Sequence, residues 1–250
     1  MTRLALLALV LFTPAVVAAG EITVLCPRSV QHVVAAAAES FQRATRHSVW
    51  LSYGEVVGVA SRALTEDADV VITTVPMLAH LEAKAAVRPG TSVALGRVGI
   101  GVAVKAGTRL PDLTSTTNLR RAILRASSLG YADPARGAPA AQHFAEVLDM
   151  IGIAPLVTFK TTLFPDGPRA LESVARGDVE LAVASISEIL GVSGVALAGP
   201  LPVNSQQVLD YAAAVMTRSA APELARAFLA HLASPEVRTQ LKAAGMDPID

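Results

Sequence analysis

Short apolar runs alternate along the chain with longer stretches whose apolar residues return every three or four positions. The first spacing suits strands covered on both faces and the second the buried face of a helix. Residues 21–26 (EITVLC) predict a first strand, with Ser29 placed to cap a helix that aligns Val30, Val33, Val34, Ala37, Phe41 and Ala44. Residues 48–52 predict a second strand, 57–64 a helix and 68–73 a third strand. Pro76 then opens a helix carrying Met77, Leu78, Leu81 and Ala85.

The scheme repeats. Residues 98–105 predict a long strand, and Thr116 or Thr117 starts a helix with Leu119, Ile123 and Ala126 on one face. Strands are expected at 128–132, 156–159, 179–184 and 211–216, and helices at 139–151, 168–176 and from about 185. Two more helices close the chain, the last between Ser234-Pro235-Glu236 and Gly245. Alternating βα units predict an α/β fold. Two such runs predict two similar lobes, with crossing strands at 92–105 and 193–204 as hinges. The expected boundaries are 20–98 with 199–250 for one lobe and 99–198 for the other.

The first 19 residues differ from the rest. A single charge, Arg3, precedes an apolar run from Leu4 to Phe12 and a small-residue end, Val17-Ala18-Ala19. This pattern predicts a cleaved export signal. Pro14 and the short run disfavour a membrane anchor, since a span needs about 20 apolar residues, and no Cys at the cleavage point offers a lipid anchor. An exported protein is therefore expected, periplasmic where an outer membrane exists.

Composition narrows the function. Of 250 residues, 52% are apolar and 17% charged, which excludes a disordered chain. Lys+Arg and Asp+Glu each number 21; without Arg3, 20 positive and 21 negative charges leave no basic field for nucleic acid. Aromatic residues, at 4%, are too few for base-stacking platforms. One Cys, Cys26, permits no internal disulfide.

Searches for catalytic motifs return nothing. There is no G-x-S-x-G elbow, no H-E-x-x-H and no phosphate loop, and the five His at 32, 47, 80, 143 and 231 lack metal-ligand spacing. No metal and no cofactor are expected. Gly96 to Gly101 reads G-x-x-G-x-G, yet it sits in a strand rather than opening a helix.

What remains are strand-to-helix turns rich in Ser, Gly and Arg. Ligands of open α/β sheets bind beyond the carboxyl ends of strands, where helix starts present free N–H groups suited to anions. The turns are Pro27-Arg28-Ser29, Tyr53-Gly54-Glu55-Val56, Asp133 to Ala138 with Arg136 and Gly137, and Ser185-Ile186-Ser187. The candidate ligand-binding residues are Arg28, Ser29, Gly54, Glu55, Val56, Arg136, Gly137, Ala138 and Ser185. Each has an ordinary role open to it: Ser29 as a cap, the arginines as solvated charges, and Glu55 facing solvent or serving as an acid or base.

In this order the residues resemble a known family, the type II periplasmic solute-binding proteins of the molybdate-binding-protein-like group. The likeness runs over nearly all of residues 21–248. It rests on Ser29 at a helix start, Ala68-Asp69-Val70-Val71, Ser128–Gly137 (SLGYADPARG), Val174-Ala175-Arg176-Gly177-Asp178, Ile186-Ser187-Glu188-Ile189-Leu190, Gly199-Pro200-Leu201-Pro202, Leu232-Ala233-Ser234-Pro235-Glu236 and Gly245-Met246-Asp247-Pro248. The resemblance implies two lobes closing on a small anion, a monomer, and delivery to an ABC permease in the inner membrane. It implies that Ser29 donates to the oxyanion. The other two side-chain donors of molybdate binders fall on Val56 and Ser185, a change that, with Arg28 and Arg136, points towards a carboxylate. The branch also resembles an aconitate isomerase built on the same scaffold. That alternative would use Arg28, Arg97, Arg136 and Lys160 for charge and Glu55 or His143 as base.

Overall fold

The computed structural model describes residues 19–249. The export signal expected over residues 1–19 lies outside them, apart from Ala19. In chain order the first elements are β1 (Glu21–Pro27), a 3-10 turn at Arg28–Val30, α1 (Gln31–Thr45), β2 (Ser48–Gly54), α2 (Val56–Thr65), β3 (Val70–Thr74) and α3 (Val75–Ala83). Next come β4 (Val93–Lys105), α4 (Thr116–Arg125), β5 (Leu129–Ala132), a 3-10 turn at Pro134–Arg136, α5 (Pro139–Met150), α6 (Ala154–Val157), β6 (Thr161–Phe164), α7 (Gly167–Arg176), β7 (Leu181–Ser185) and α8 (Ile186–Leu190). The chain ends with β8 (Val195–Pro200), β9 (Val208–Val215), α9 (Pro222–Leu232) and α10 (Pro235–Ala243).

Two mixed sheets share β4. The first runs β2-β1-β3-β9-β4, with β1 parallel to its neighbours and β9 antiparallel. The second runs β4-β7-β5-β6, with β8 on the other side of β4. The change of sheet is abrupt: Gly99 pairs with Val208 of β9, and the next residue, Ile100, pairs with Ser185 of β7. Gln206, on the returning crossing, accepts from the Ile100 N–H at 2.8 Å and donates to the Ile100 carbonyl at 2.9 Å. The two crossings are thus tied together where β4 changes sheet.

Helices cover both faces of each sheet, which is why the central strands read as continuous apolar runs; every residue of β3 is buried. Around the first sheet, α1, α9 and α10 close one core, where Phe41 meets Phe228 edge-on at 5.3 Å, and α2 and α3 close the other. Around the second, α4 and α5 bury Leu119, Ile123, Phe144 and Val147, while α7 buries Ala170, Leu171 and Val174.

The two-lobed α/β expectation holds, and one strand needs correction. Residues 156–159 are not a strand: they belong to α6 and a 3-10 turn at Thr158–Lys160, and the strand is β6 just after them. Pro155 falls at the start of α6, where a fixed φ suits a helix. Of the apolar run only Val157 is buried, while Leu156 and Phe159 are exposed, so a short apolar run misled as to period. Among the described residues no helix is long and apolar enough to cross a membrane.

Candidate functional site

Five helical starts converge where the two sheets face each other. They are the 3-10 turn leading into α1, and α2 from the first sheet, with α5, α7 and α8 from the second. Each follows a strand end or a short turn beyond one. Between them lies a cavity of about 20 Å³ lined by Ser29, Glu55, Ala138, Gly167, Ser185, Glu188 and small apolar residues. That is room for about one water-sized species.

Ser29 is held from two sides. Its Oγ lies 2.7 Å from the Tyr211 hydroxyl, and its carbonyl accepts from the Ser187 hydroxyl of α8. Tyr211 is fully buried, and burial pushes its phenol far above the ordinary range, so it stays protonated. Beside Ser29, Arg28 Nε reaches 3.3 Å across to Asp166 Oδ2 at the start of α7. On the other side Gly137, at φ 86°, brings its turn against α2: a Cβ there would stand 2.7 Å from Val57 Cβ. The lobes therefore meet on both flanks of the cavity.

Two carboxyl groups sit inside. Glu55 is the residue before α2, yet it makes no cap; its Oε1 is buried without a hydrogen-bond partner. Desolvation first, then the charge of Asp166, pushes its pKa up to about 7 against the opposing pull of Arg28 and Arg136. Glu188 is 6% exposed and accepts from the Ser185 N–H at 3.1 Å. Desolvation and the neighbouring Glu55 push it up to about 8. Gly167 makes room for it, since a Cβ there would lie 2.5 Å from Glu188 Oε1. A buried carboxylate without a full set of donors is costly, and taking a proton relieves that cost.

Of the sequence candidates, Ser29, Glu55, Ala138 and Ser185 line the cavity. Arg28 adjoins it through Asp166, and Arg136 is exposed at the mouth, where its charge still reaches Glu55. Gly54 and Gly137 shape the two turns. Val56 is buried with its side chain in the core, so it can offer the cleft only backbone. Three candidates for the isomerase alternative stand elsewhere. His143 Nε2 lies 2.9 Å from the Ser205 carbonyl, Arg97 pairs with Asp210 at 3.4 Å, and Lys160 donates to the carbonyls of Ile123, Leu124 and Ala126 at the end of α4. Cys26 is wholly buried, with its thiol pKa raised.

Sequence reading missed Asp166, Glu188 and Tyr211. Ser185-x-x-Glu188 is a capping-box spacing and would have flagged Glu188. Asp166-Gly167-Pro168 is a helix-start signal. Nothing local marks Tyr211, which meets Ser29 from 182 positions away. Among the described residues no group of three His, Cys, Asp or Glu side chains is placed to hold a metal.

A family model described as bacterial extracellular solute-binding protein matches residues 22–247. An aconitate isomerase from Pseudomonas sp. is 27% identical over 256 residues, covering 98% of this chain and 96% of that protein. Among solved structures, the periplasmic molybdate-binding protein of Azotobacter vinelandii superposes with a TM-score of 0.77 at 18% identity, over 92% of this chain and 100% of that one. The sulfate-binding protein of Mycobacterium tuberculosis gives 0.67 at 18% identity, over 92% and 88%. At that identity these structures show a shared fold.

Proposed function

The chain belongs to the bacterial extracellular solute-binding family, and from that premise we propose that it is a periplasmic receptor whose two lobes close on a small anion. The ligand is an organic carboxylate or a molybdate-like oxyanion, bound by a monomer that hands it to an ABC permease. We place one lobe at 20–98 with 199–250 and the other at 99–198; the change of sheet at Gly99 and Ile100 supports the first crossing, while Gly199 and Pro200 still pair with Val102 and Gly101 of β4, which moves the second crossing a few residues later.

The observation that carries this reading is the convergence of five helical starts on one cavity. The starts of α2 and α5 carry no side-chain cap, so their free N–H groups and the positive ends of the helix dipoles favour an anion there. Tyr211 donating to Ser29 Oγ would free the Ser29 proton for the ligand. Arg28 and Arg136 would supply charge from the two lobes. In the arrangement described, the cavity is too small for a polyatomic anion, so the lobes must part to admit one. Closure then strengthens each charge-assisted bond by excluding water. Protonated Glu55 and Glu188 leave the two arginines facing one carboxylate, Asp166, so an anion binds better below about pH 7 than above it.

The test is a thermal-shift screen with molybdate, tungstate, sulfate, phosphate and di- and tricarboxylates, including cis- and trans-aconitate. A true ligand at a hundredfold its dissociation constant adds about 2.7 kcal/mol. Arg136→Ala should then weaken the ligand that shifts; unchanged affinity would remove that turn from the site.

One observation favours a second reading. Glu55 is a half-buried carboxyl whose Oε1 is buried without a partner and whose pKa is raised to about 7, as suits a general base, in a chain similar to an aconitate isomerase. An allylic shift would need Glu55 to take one proton from a methylene and return it at the far end of the migrating double bond. Interconversion of the two aconitates, lost in Glu55→Gln, would establish the enzyme. Ligand binding without interconversion would leave the receptor.

A further inference from the structure

The cleft is not the only concave feature among the described residues. A groove of about 890 Å³ lies at the opposite end of the second sheet, formed by the end of β4, the loop to α4, one face of α4 and residues 177–181. It shares no residue with the cleft cavity. Val104 and Leu181 give it an apolar floor, and Lys105, Arg109, Arg121 and Arg125 stand around it. Among the described residues, none of these four cations lies within 4 Å of a carboxylate.

The acids beside them are already engaged. Asp112 accepts from the Thr114 N–H and hydroxyl through one oxygen and from Asn118 through the other. Glu180 accepts from the Ser127 N–H at 2.7 Å and its hydroxyl at 2.6 Å, and Asp178 pairs with Arg176. Arg121 and Arg125 sit four apart on α4, a like-charge spacing that costs a helix stability. Capping does not explain Arg125, because Lys160 already serves the carbonyls of Ile123, Leu124 and Ala126.

We propose that this groove is a second binding site, for a small multivalent oxyanion: a compact ligand carrying two or more phosphate or carboxylate groups. Guanidinium forks match either group in two-point bonds. The volume falls within the range of about 300–1,000 Å³ typical of small-molecule sites. The concave form favours a small molecule over the flat face of a macromolecule.

Isothermal titration of the purified protein at low salt with two probes, inorganic triphosphate and citrate, tests this. At least one should bind, and the probe that does names the group. Arg121→Gln with Arg125→Gln should weaken it at least about tenfold, the loss of one charge-assisted bond or more. Arg109→Gln, on a loop outside the helix, should weaken it as well and guards against a helix defect. Arg43→Gln, an exposed charge on α1 that lines neither cavity, should leave it unchanged, and binding should fall steeply with added salt. Failure of both probes, equal binding by the groove variants, or an equal loss in Arg43→Gln would overturn the proposal.

Discussion

The cleft and the groove hold the same residue types in opposite electrostatic states. In the cleft, Glu188 is buried and Glu55 half-buried with its Oε1 shut off without a partner, and desolvation raises their pKa values to about 8 and 7. In the groove, hydrogen bonds from Thr114 and Ser127 hold Asp112 and Glu180 below the ordinary carboxylate range. Burial decides the difference, since desolvation dominates where water is excluded and local donors dominate where it is not. The cleft therefore changes charge near neutral pH, while the groove keeps its charge. Volume ranks the two the other way, at about 20 against 890 Å³.

The strongest way to break the comparison is to pry the cleft open. Gly137 combines a positive φ with a Cβ position 2.7 Å from Val57 on the facing lobe. Gly137→Ala should cost about 2–3 kcal/mol, part backbone strain and part overpacking between lobes. Urea denaturation reads the stability, and a matching fall in ligand affinity would locate the strain in the closed arrangement. Unchanged stability would mean the lobes do not press together there.

The next test separates the two electrostatic states by pH. Between about pH 4.5 and 8 the folded chain keeps protons on Glu55 and Glu188 that the unfolded chain has released. The folded state binds more protons in that window, so these groups make stability fall as pH rises, with nothing further lost above it. Glu188→Gln keeps an acceptor for the Ser185 N–H and cannot ionise. It should match wild type near pH 4.5, exceed it by about 2 kcal/mol at pH 8, and flatten the profile between. A profile that superposes on wild type would mean Glu188 is ionised when folded.

These effects also mark how far sequence reading reached. Strands such as β3 and β7 were legible because helices on both faces leave them continuously apolar, and the turns carrying Ser29, Glu55, Ala138 and Ser185 were legible because they follow strand ends. Residues 156–159 were not, since four apolar-rich positions cannot fix a period. Partners across the cleft were not either. The Arg28–Asp166 pair and the Ser29–Tyr211 bond join segments whose adjacency exists only after folding. The groove left a trace in Arg120-Arg121-x-x-x-Arg125, but its meaning depends on the acids nearby being engaged, which sequence does not reveal.

A smaller effect is expected from the lobe-to-lobe ion pair. Arg28→Gln breaks a contact whose side chains are 35% and 14% exposed. Solvent screening limits its loss to about 1 kcal/mol. Arg28 also opposes the upward shift of Glu55, so its removal should move the midpoint of pH-dependent ligand binding upward. An unmoved midpoint would show that Glu55 does not sense this charge.

The smallest effect belongs to the groove, and its smallness is the argument. Arg125 is exposed, pairs with no carboxylate among the described residues, and follows an arginine one turn earlier on the same helix. Arg125→Gln keeps a good helix former and removes a repulsion, so stability should change by less than about 0.5 kcal/mol, towards gain. A charge the fold does not use is free to serve a ligand. If the same substitution destabilised the chain by 1 kcal/mol or more, Arg125 would be a structural residue and the contrast between cleft and groove would narrow to one of burial alone.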